Sequence, residues 1–320
     1  MSGAAPGPVA AERVLVVKLG ALGDFVLALG PMQAIRRAHP KAEITLLTTA
    51  PYAALGERCG WFDRVWTTER TRNPVALWRL RRRLIGGRFG MIYDLQTSDR
   101  SSLFWRMLWP RRPPMSGIAK GCSHPHDNPA RDALHTVERQ RDQLARAGIA
   151  EVPAPDVAWM DSDVTRFDLP ERFALLVPGG AAHRPDKRWP AAQYAALARR
   201  LAAMRLTPVL IGAGADAEAT AAIKAGCAPA LDLTGATDFL DLAALARRAD
   251  LAVGNDTGPM HLIAAAGCPS LALFGAASDP ALCAQRGPCV EILRVPALHD
   301  LDLERVVAAV QSLARPAHSP

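Results

Sequence analysis

The sequence predicts an α/β protein of two doubly wound units, each a parallel sheet with helices on both faces. Three observations carry that expectation. Short β-branched runs alternate with helix-length segments along the chain, the pattern of parallel strands joined by crossover helices. The alternation breaks between Glu151 and Pro170, where Pro153, Pro155, the Asp161-Ser162-Asp163 cluster and Pro170 crowd together, and then restarts. The 320-residue length is about twice that of a common domain. The expected domains are therefore 1–160 and 161–320.

Taken in order, Val14 to Val17 reads as a buried strand ending at Lys18. The turn Gly20-Ala21-Leu22-Gly23-Asp24 follows. Phe25 to Ala38 reads as a helix, with Pro31 near its first turns or marking a kink. Ile44 to Thr48 is the next strand, and Val65-Trp66 and Met91 to Tyr93 are later ones, separated by a basic helical stretch. In the second half, strands are expected at Phe173 to Val177, Pro208 to Ile211, Leu231 to Leu233, Leu251 to Val253 and Ser270 to Phe274. Helices are expected at Ala191 to Met204, Ala217 to Ala225, Leu240 to Arg248, Pro259 to Ala266 and Leu303 to Leu313, the last free to pack back on the N-terminal domain. The two units should face a central cleft, with ligands at the carboxyl ends of the strands.

Composition narrows the class. With 49% hydrophobic and 22% charged residues, the chain is an ordinary globular one, neither disordered nor fibrous. The longest stretch free of charge, Thr257 to Ser278, is broken by Pro259, Gly267, Pro269 and Gly275 and does not read as a membrane span. The first residues, MSGAAPGPVAAERV, lack a basic segment followed by an apolar core and are expected to be a frayed tail rather than a signal peptide. The six cysteines form no C-x-x-C pair, which suits reduced thiols in a cytoplasm. The charge is lopsided. Residues 1–160 hold 23 Lys/Arg against 14 Asp/Glu, whereas 161–320 hold 15 against 17. Much of the excess is arginine between Arg70 and Arg112, interleaved with Trp78, Trp105 and Trp109. Arginine pairs with phosphate and carboxylate, and tryptophan suits a membrane interface. An acidic partner is implied, or else a solvated helix face; no recognised nucleic-acid motif accompanies the charge.

Three loops that follow strands carry the candidate chemistry. In Gly254-Asn255-Asp256-Thr257-Gly258-Pro259-Met260-His261, Asp256 or Thr257 can cap the following helix, and Pro259 suits its first turn. The helix N-terminus is also an anion site, with Thr257 adding a hydroxyl, Asp256 accepting from sugar hydroxyls and His261 one turn on. In Pro178 to Pro190, Gly179 and Gly180 let backbone approach a ligand, and Lys187 is a cation suited to a diphosphate. In Lys18 to Asp24 the glycines do not form G-x-G-x-x-G; Asp24 is an N-cap or a general base. The His124-x-His126 pair beside Cys122 and Asp127 lacks zinc-type spacing, and no metal is expected.

The segments GDFVLALGP at 23–31, DKRWP at 186–190 and LTGATDFLDLAALARRADLAVGNDTGPMHLIAAAGCPSLALFG at 233–275 resemble glycosyltransferase family 9, the ADP-heptose:lipopolysaccharide heptosyltransferases. The resemblance runs over roughly residues 12 to 314, with the D-T-G-P-M-H block as its most specific part. It implies a GT-B architecture of two Rossmann-like domains, acceptor on the first and nucleotide-sugar on the second. It also implies an inverting transfer without an obligatory metal or other cofactor, the ADP-sugar being a co-substrate. Asp24 matches the base and Lys187 the diphosphate-holding lysine. The donor set it implies is Gly179, Gly180, His183, Lys187, Asp216 (Glu218 in reserve), Thr237, Asp256, Thr257, Gly258 and His261; the acceptor set is Gly23, Asp24, Arg100 and His124. The implied partners are a nucleotide-sugar and an acidic lipopolysaccharide-type glycolipid, with no nucleic acid. The implied location is the cytoplasm, with peripheral contact at the inner face of the inner membrane. Alternatives are a family 9 enzyme with another donor or acceptor, a two-domain nicotinamide oxidoreductase, which the missing glycine fingerprint disfavours, and a non-catalytic nucleotide-sugar or glycan binder, which would be expected to lack Asp24 or Lys187.

Overall fold

The computed structural model describes residues 7–180 and 184–313. Two compact units divide the chain, 1–156 and 157–320. The first contains β1 (Arg13–Val17), α1 (Leu22–Leu27), α2 (Leu29–Ala38), β2 (Glu43–Thr48), α3 (Ala53–Arg58), β3 (Arg64–Thr67), α4 (Pro74–Gly87), β4 (Met91–Asp94), α5 (Asp99–Arg106), β5 (Met115–Gly117), β6 (His124–Pro125) and α6 (Thr136–Arg146). Its six strands are all parallel, in the order β3-β2-β1-β4-β5-β6. β1 and β4 are buried along nearly their whole length, as strands covered on both faces must be. Leu15, Val17, Leu80, Leu84, Ile92, Phe104 and Trp105 form one core under α4 and α5. The single helix expected from Phe25 is two, broken at Ala28. Pro31, in the first turn of α2, has no N–H to bond back four residues, so the helix restarts there.

The second unit contains β7 (Phe173–Val177), α7 (Ala191–Ala203), β8 (Thr207–Leu210), α8 (Ala217–Gly226), β9 (Leu231–Asp232), α9 (Phe239–Arg248), β10 (Leu251–Asn255), α10 (Gly258–Ala265), β11 (Ser270–Phe274), α11 (Pro280–Cys283), β12 (Val290–Arg294) and α12 (Leu303–Leu313). Its sheet runs β9-β8-β7-β10-β11-β12, again all parallel. Renumbered within each unit, both sheets have the order 3-2-1-4-5-6. In each, the order reverses beside the first strand, so the ligand-binding switch point lies at the ends of β1 and β4 in one unit and of β7 and β10 in the other.

The unit boundary falls just before the expected one. Val157 and Met160 are buried, and Arg247 of α9 donates to both of their carbonyls, which ties this proline-rich segment to the second unit. The last helix also belongs there: Val306 and Val310 are fully buried in a core with Leu197, Leu201 and Leu273. At the centre of that core Trp189 and Tyr194 meet edge to face, ring centroids 4.9 Å apart.

Candidate active site

At the switch point of the first unit, Asp24 stands in the first turn of α1. It is not the cap: Ala21 occupies that position and no side chain caps the helix. The Asp24 carboxylate lines a pocket of about 270 Å³ with Lys18, Gln96, Arg131, Arg139, Gln140 and Gln143 among its walls. Lys18 is almost completely buried and its Nζ donates to the Leu95 carbonyl at 3.2 Å. Burial draws its pKa below the usual lysine range, against the attraction of Asp24 and Asp94. Asp94 ends β4 with no exposure at all. Its carboxylate accepts from the Gln96 and Thr97 N–H groups and the Ser101 hydroxyl. Burial still lifts it to about 6, against those hydrogen bonds and the charge of Lys18. Gln143 reaches across to the Asp94 carbonyl at 2.9 Å. The side-chain oxygens of Gln140 and Gln143 are buried without a hydrogen-bond partner, two unsatisfied acceptors on residues that line the pocket.

The expected acceptor set is only partly assembled here. Gly23 and Asp24 share α1, but Arg100 and His124 are not among the pocket's walls. The Arg100 guanidinium stacks on Phe104 and donates to the Glu69 carbonyl. His124 lies on the edge strand β6, with Nδ1 2.8 Å from Ser123 Oγ. Two strands separate β6 from β1, so at about 4.8 Å per strand spacing His124 is roughly 14 Å off. Arg131 and Arg139 line the pocket. They come from the α6 region, whose sequence carries no glycine signal or motif to mark it. His126 is held by Asp142 at 2.8 Å. Among the described residues, no group of three His, Cys, Asp or Glu is placed to hold a metal ion.

At the switch point of the second unit, Lys187 Nζ lies 2.7 Å from Asp256 Oδ2. The same oxygen accepts from Ser278 Oγ at 2.7 Å, and Oδ1 accepts from Gln285 at 3.3 Å. Asp256 was expected to take sugar hydroxyls; here its oxygens are engaged by the protein. His261 Nε2 is 4.0 Å from Asp256 Oδ1. Thr257 occupies the cap position of α10, yet its hydroxyl makes no capping bond and is buried without a partner. The capping reading of this loop therefore does not hold. Gly258 and Pro259 open α10, whose leading N–H groups and unspent hydroxyl form an anion-binding arrangement.

Asn255, to which sequence reasoning gave no role, organises this end of the sheet. It is fully buried, accepts from Trp189 N at 3.0 Å and Tyr194 OH at 3.1 Å, and donates to the carbonyls of Pro178 and Gly179. The β7 loop, the β10 loop and the Lys187 segment are thereby fixed together. Gly179 leaves room for Asp216: a Cβ there would lie 2.6 Å from the Asp216 carboxyl carbon and displace that side chain. Gly180 passes Arg188, which donates to its carbonyl. Asp216 accepts from Ala213 N at 3.0 Å and faces Arg188 at 3.5 Å, whereas Glu218 is exposed on α8. Thr237 follows Gly235, whose N–H donates to Gly212 at 2.8 Å, so the β9 loop lies against the β8 loop that carries Asp216. His183 lies outside the described residues. Ser278, Gln285 and Arg188 were also missed; the first two follow β11, and no motif connects them to Asp256 in the sequence.

Lipopolysaccharide heptosyltransferase 1 of Pseudomonas aeruginosa is 26% identical over 293 residues, 82% of this chain and 78% of its own. Lipopolysaccharide heptosyltransferase 3 of Escherichia coli is 26% identical over 207 residues, 61% of this chain and 55% of its own. The chain thus spans about half the length of that relative, and 30% of the length of lipopolysaccharide heptosyltransferase 2 of E. coli K12, at 36% identity. Among solved structures, a family 9 glycosyltransferase from Veillonella parvula superposes with a TM-score of 0.80 at 20% identity, covering 94% of this chain and 97% of that one. The E. coli heptosyltransferase WaaC with ADP superposes at 0.76 and 22% identity, covering 94% and 100%. These likenesses establish the GT-B fold class. The model of glycosyltransferase family 9 (heptosyltransferase) matches residues 77–301, well over half of the chain, and the protein belongs to that family.

Proposed function

We propose that the protein is an inverting glycosyltransferase that moves a heptose from ADP-heptose to an acidic sugar of a lipopolysaccharide-type core. The observation that carries this reading is the arrangement at α10: Lys187 2.7 Å from Asp256 beside the Thr257 hydroxyl and the helix N-terminus. A diphosphate seated there would draw Lys187 from Asp256 and meet the α10 N–H groups. Negative charge grows on the leaving ADP during transfer, and fixed donors of this kind stabilise it as it develops. Asp216 and Thr237, on adjoining loops, are the proposed ribose and adenine contacts, and His261 lines the sugar side. A relative's structure contains ADP and another a fluorinated ADP-heptose, which supports ADP-heptose as donor.

The acceptor belongs to the Asp24 pocket. Asp24 takes the proton from the acceptor hydroxyl as that oxygen attacks the anomeric carbon, a contribution of about 10²–10⁴-fold. Gln140 and Gln143 offer oxygens to sugar hydroxyls, and Arg131 and Arg139 supply positive charge for an acidic sugar. We assign the work to the cytoplasmic side of the inner membrane. No helix among the described residues is long and apolar enough to cross a membrane.

The test is nucleotide preference by thermal shift with ADP, UDP, GDP and NAD at matched concentration, followed by transfer from ADP-heptose. Ligand at 100 times its Kd stabilises by about 2.7 kcal/mol. A shift with ADP alone is expected. A shift with UDP or GDP instead would discard heptose as the sugar, and one with NAD alone would discard glycosyl transfer.

A further inference from the structure

All five exposed large hydrophobic side chains among the described residues lie on one stretch of the first unit: Val75, Trp78, Ile85, Leu103 and Trp109. Trp78 and Trp109 are more than half exposed, at 54% and 66%. On α4 the spacing of Val75, Trp78, Arg82 and Ile85 is three, four and three residues, which places them on one helical stripe. Leu80 and Leu84, between them in sequence, point the other way into the core shared with Phe104, Trp105 and Leu108 of the α5 segment. Arg81 ties the two elements side by side, donating from Nε to the Met107 carbonyl at 2.7 Å and from Nη2 to that of Trp109 at 3.4 Å. The outward stripe of α4 and the outward residues Leu103 and Trp109 thus belong to one face.

That face is strongly cationic. Residues 70–112 contain eleven arginines and only two aspartates, one of which, Asp94, is buried in the site. Elsewhere in the same unit Arg36, Arg64, Arg141 and Arg146 each pair with a carboxylate. Among the described residues none of the eleven does so. Arg82 instead lies over the Trp78 ring, 4.9 Å from its centroid, and Arg112 over Trp105 at 4.8 Å. Arginine stacked on an indole, with apolar neighbours one helical turn away, offers a phosphate contact and a hydrocarbon contact from the same spot. A solvated helix face explains the arginines but not the tryptophans; a polyanion in solution explains the charge but gives Val75, Ile85 and Trp109 nothing to bury against.

We propose that the α4–α5 face is a docking surface for an anionic lipid bilayer, the tryptophans seated at headgroup depth and the arginines on lipid phosphates. The location adds reach. The pocket-lining residues Gln96 and Thr97 run directly into α5, so a molecule anchored in the bilayer under this face lies beside the Asp24 pocket. Only that last point rests on the acceptor reading above; the docking does not.

The experiment is co-sedimentation of the full chain with vesicles of phosphatidylglycerol and phosphatidylethanolamine, and separately of phosphatidylcholine alone, at 50 mM and 500 mM salt. The parent should pellet with the anionic vesicles at low salt, pellet weakly at high salt and remain in solution with phosphatidylcholine. Trp78→Ser with Trp109→Ser should weaken partition at least tenfold. Arg82→Gln should weaken it about fivefold, the effect expected of one surface charge. Because these side chains are exposed, the melting temperature and the ADP shift should not move, and loss of the ADP shift in the parent would count against the transferase reading while leaving the docking result intact. The proposal is overturned if the parent ignores anionic vesicles at low salt or if the tryptophan variant partitions as the parent does. It is equally overturned if the parent forms a dimer in sedimentation velocity that the tryptophan variant dissolves, which would give the face to a second copy. Equal retention of parent and tryptophan variant on heparin, with vesicles ignored, would give it to a soluble polyanion.

Discussion

Asp24 and Asp94 show how two carboxylates a few residues apart in space are assigned different work by their surroundings. Asp24 faces the pocket beside Lys18 and Arg139, and in the proposed reading it takes the acceptor proton. Replacing it by alanine should cut transfer by about two to four orders of magnitude and leave ADP binding unchanged, because the donor arrangement is built wholly from the second unit; transfer rates set beside ADP titration would check this. Asp94 accepts its hydrogen bonds from backbone and Ser101 and is lifted by burial from 3.8 to about 6. The folded state then binds its proton more tightly than the unfolded one. Its contribution favours folding below about pH 4 and is lost as pH rises to about 6. Relative to Asp94→Asn, the parent should therefore lose stability across that window, as urea melts at pH 4, 5, 6 and 7 would show; parallel curves would remove Asp94 as the titrating group.

At the scale of elements, the two switch-point ends are held in different ways. In the second unit Asn255 fixes three segments with four hydrogen bonds. Asn255→Ala would strand buried partners on all of them, at about 2–4 kcal/mol, and should lower Tm by roughly 5–15 °C; a calorimetric Tm within a degree of the parent would refute this. This end was largely legible in advance. β7 and β11 lie where the sequence places them, between residues 173 and 177 and between 270 and 274, because each is a run of five buried positions, wholly apolar in β7 and apolar after Ser270 in β11. β5, β6 and β12 were not anticipated. Met115–Gly117 and His124–Pro125 are too short and too rich in Gly, Ser and Pro to read as strands; they exist because β4 offers β5 an edge and β5 in turn offers one to β6. β12 is half-buried and carries Glu291 and Arg294 among its apolar residues. At the sites, the residues proposed from sequence adjoin glycine turns, whereas Arg131, Arg139, Ser278 and Gln285 come from stretches with no local signature and meet the others only through the tertiary fold. Plain capping was the reading that failed, at both Asp24 and Thr257, since each helix begins without a side-chain cap.

At the scale of the molecule, each unit has its own sheet, core and strand-order reversal. The segment from Val157 onward is anchored to α9 by Arg247 and by Arg166 and Ser162 on Asp241. A fragment of residues 157–320 should accordingly fold alone and keep the ADP-induced thermal shift while catalysing no transfer; absence of an ADP shift in the folded fragment would place part of the nucleotide site elsewhere. One contact made within this unit bears on the pace of the whole cycle. Lys187 has a resident carboxylate, Asp256, so on the proposed donor reading a diphosphate would obtain the lysine only by exchange with that carboxylate. The same exchange would run in reverse when ADP departs: Asp256 would recapture the cation and not leave it stranded in a partly buried site. Affinity would be reduced on entry and dissociation helped on exit, a balance that favours turnover over tight holding. Asp256→Asn should consequently bind ADP more tightly and release it more slowly, which displacement kinetics would read directly, and an enzyme altered in that way would be limited by its product.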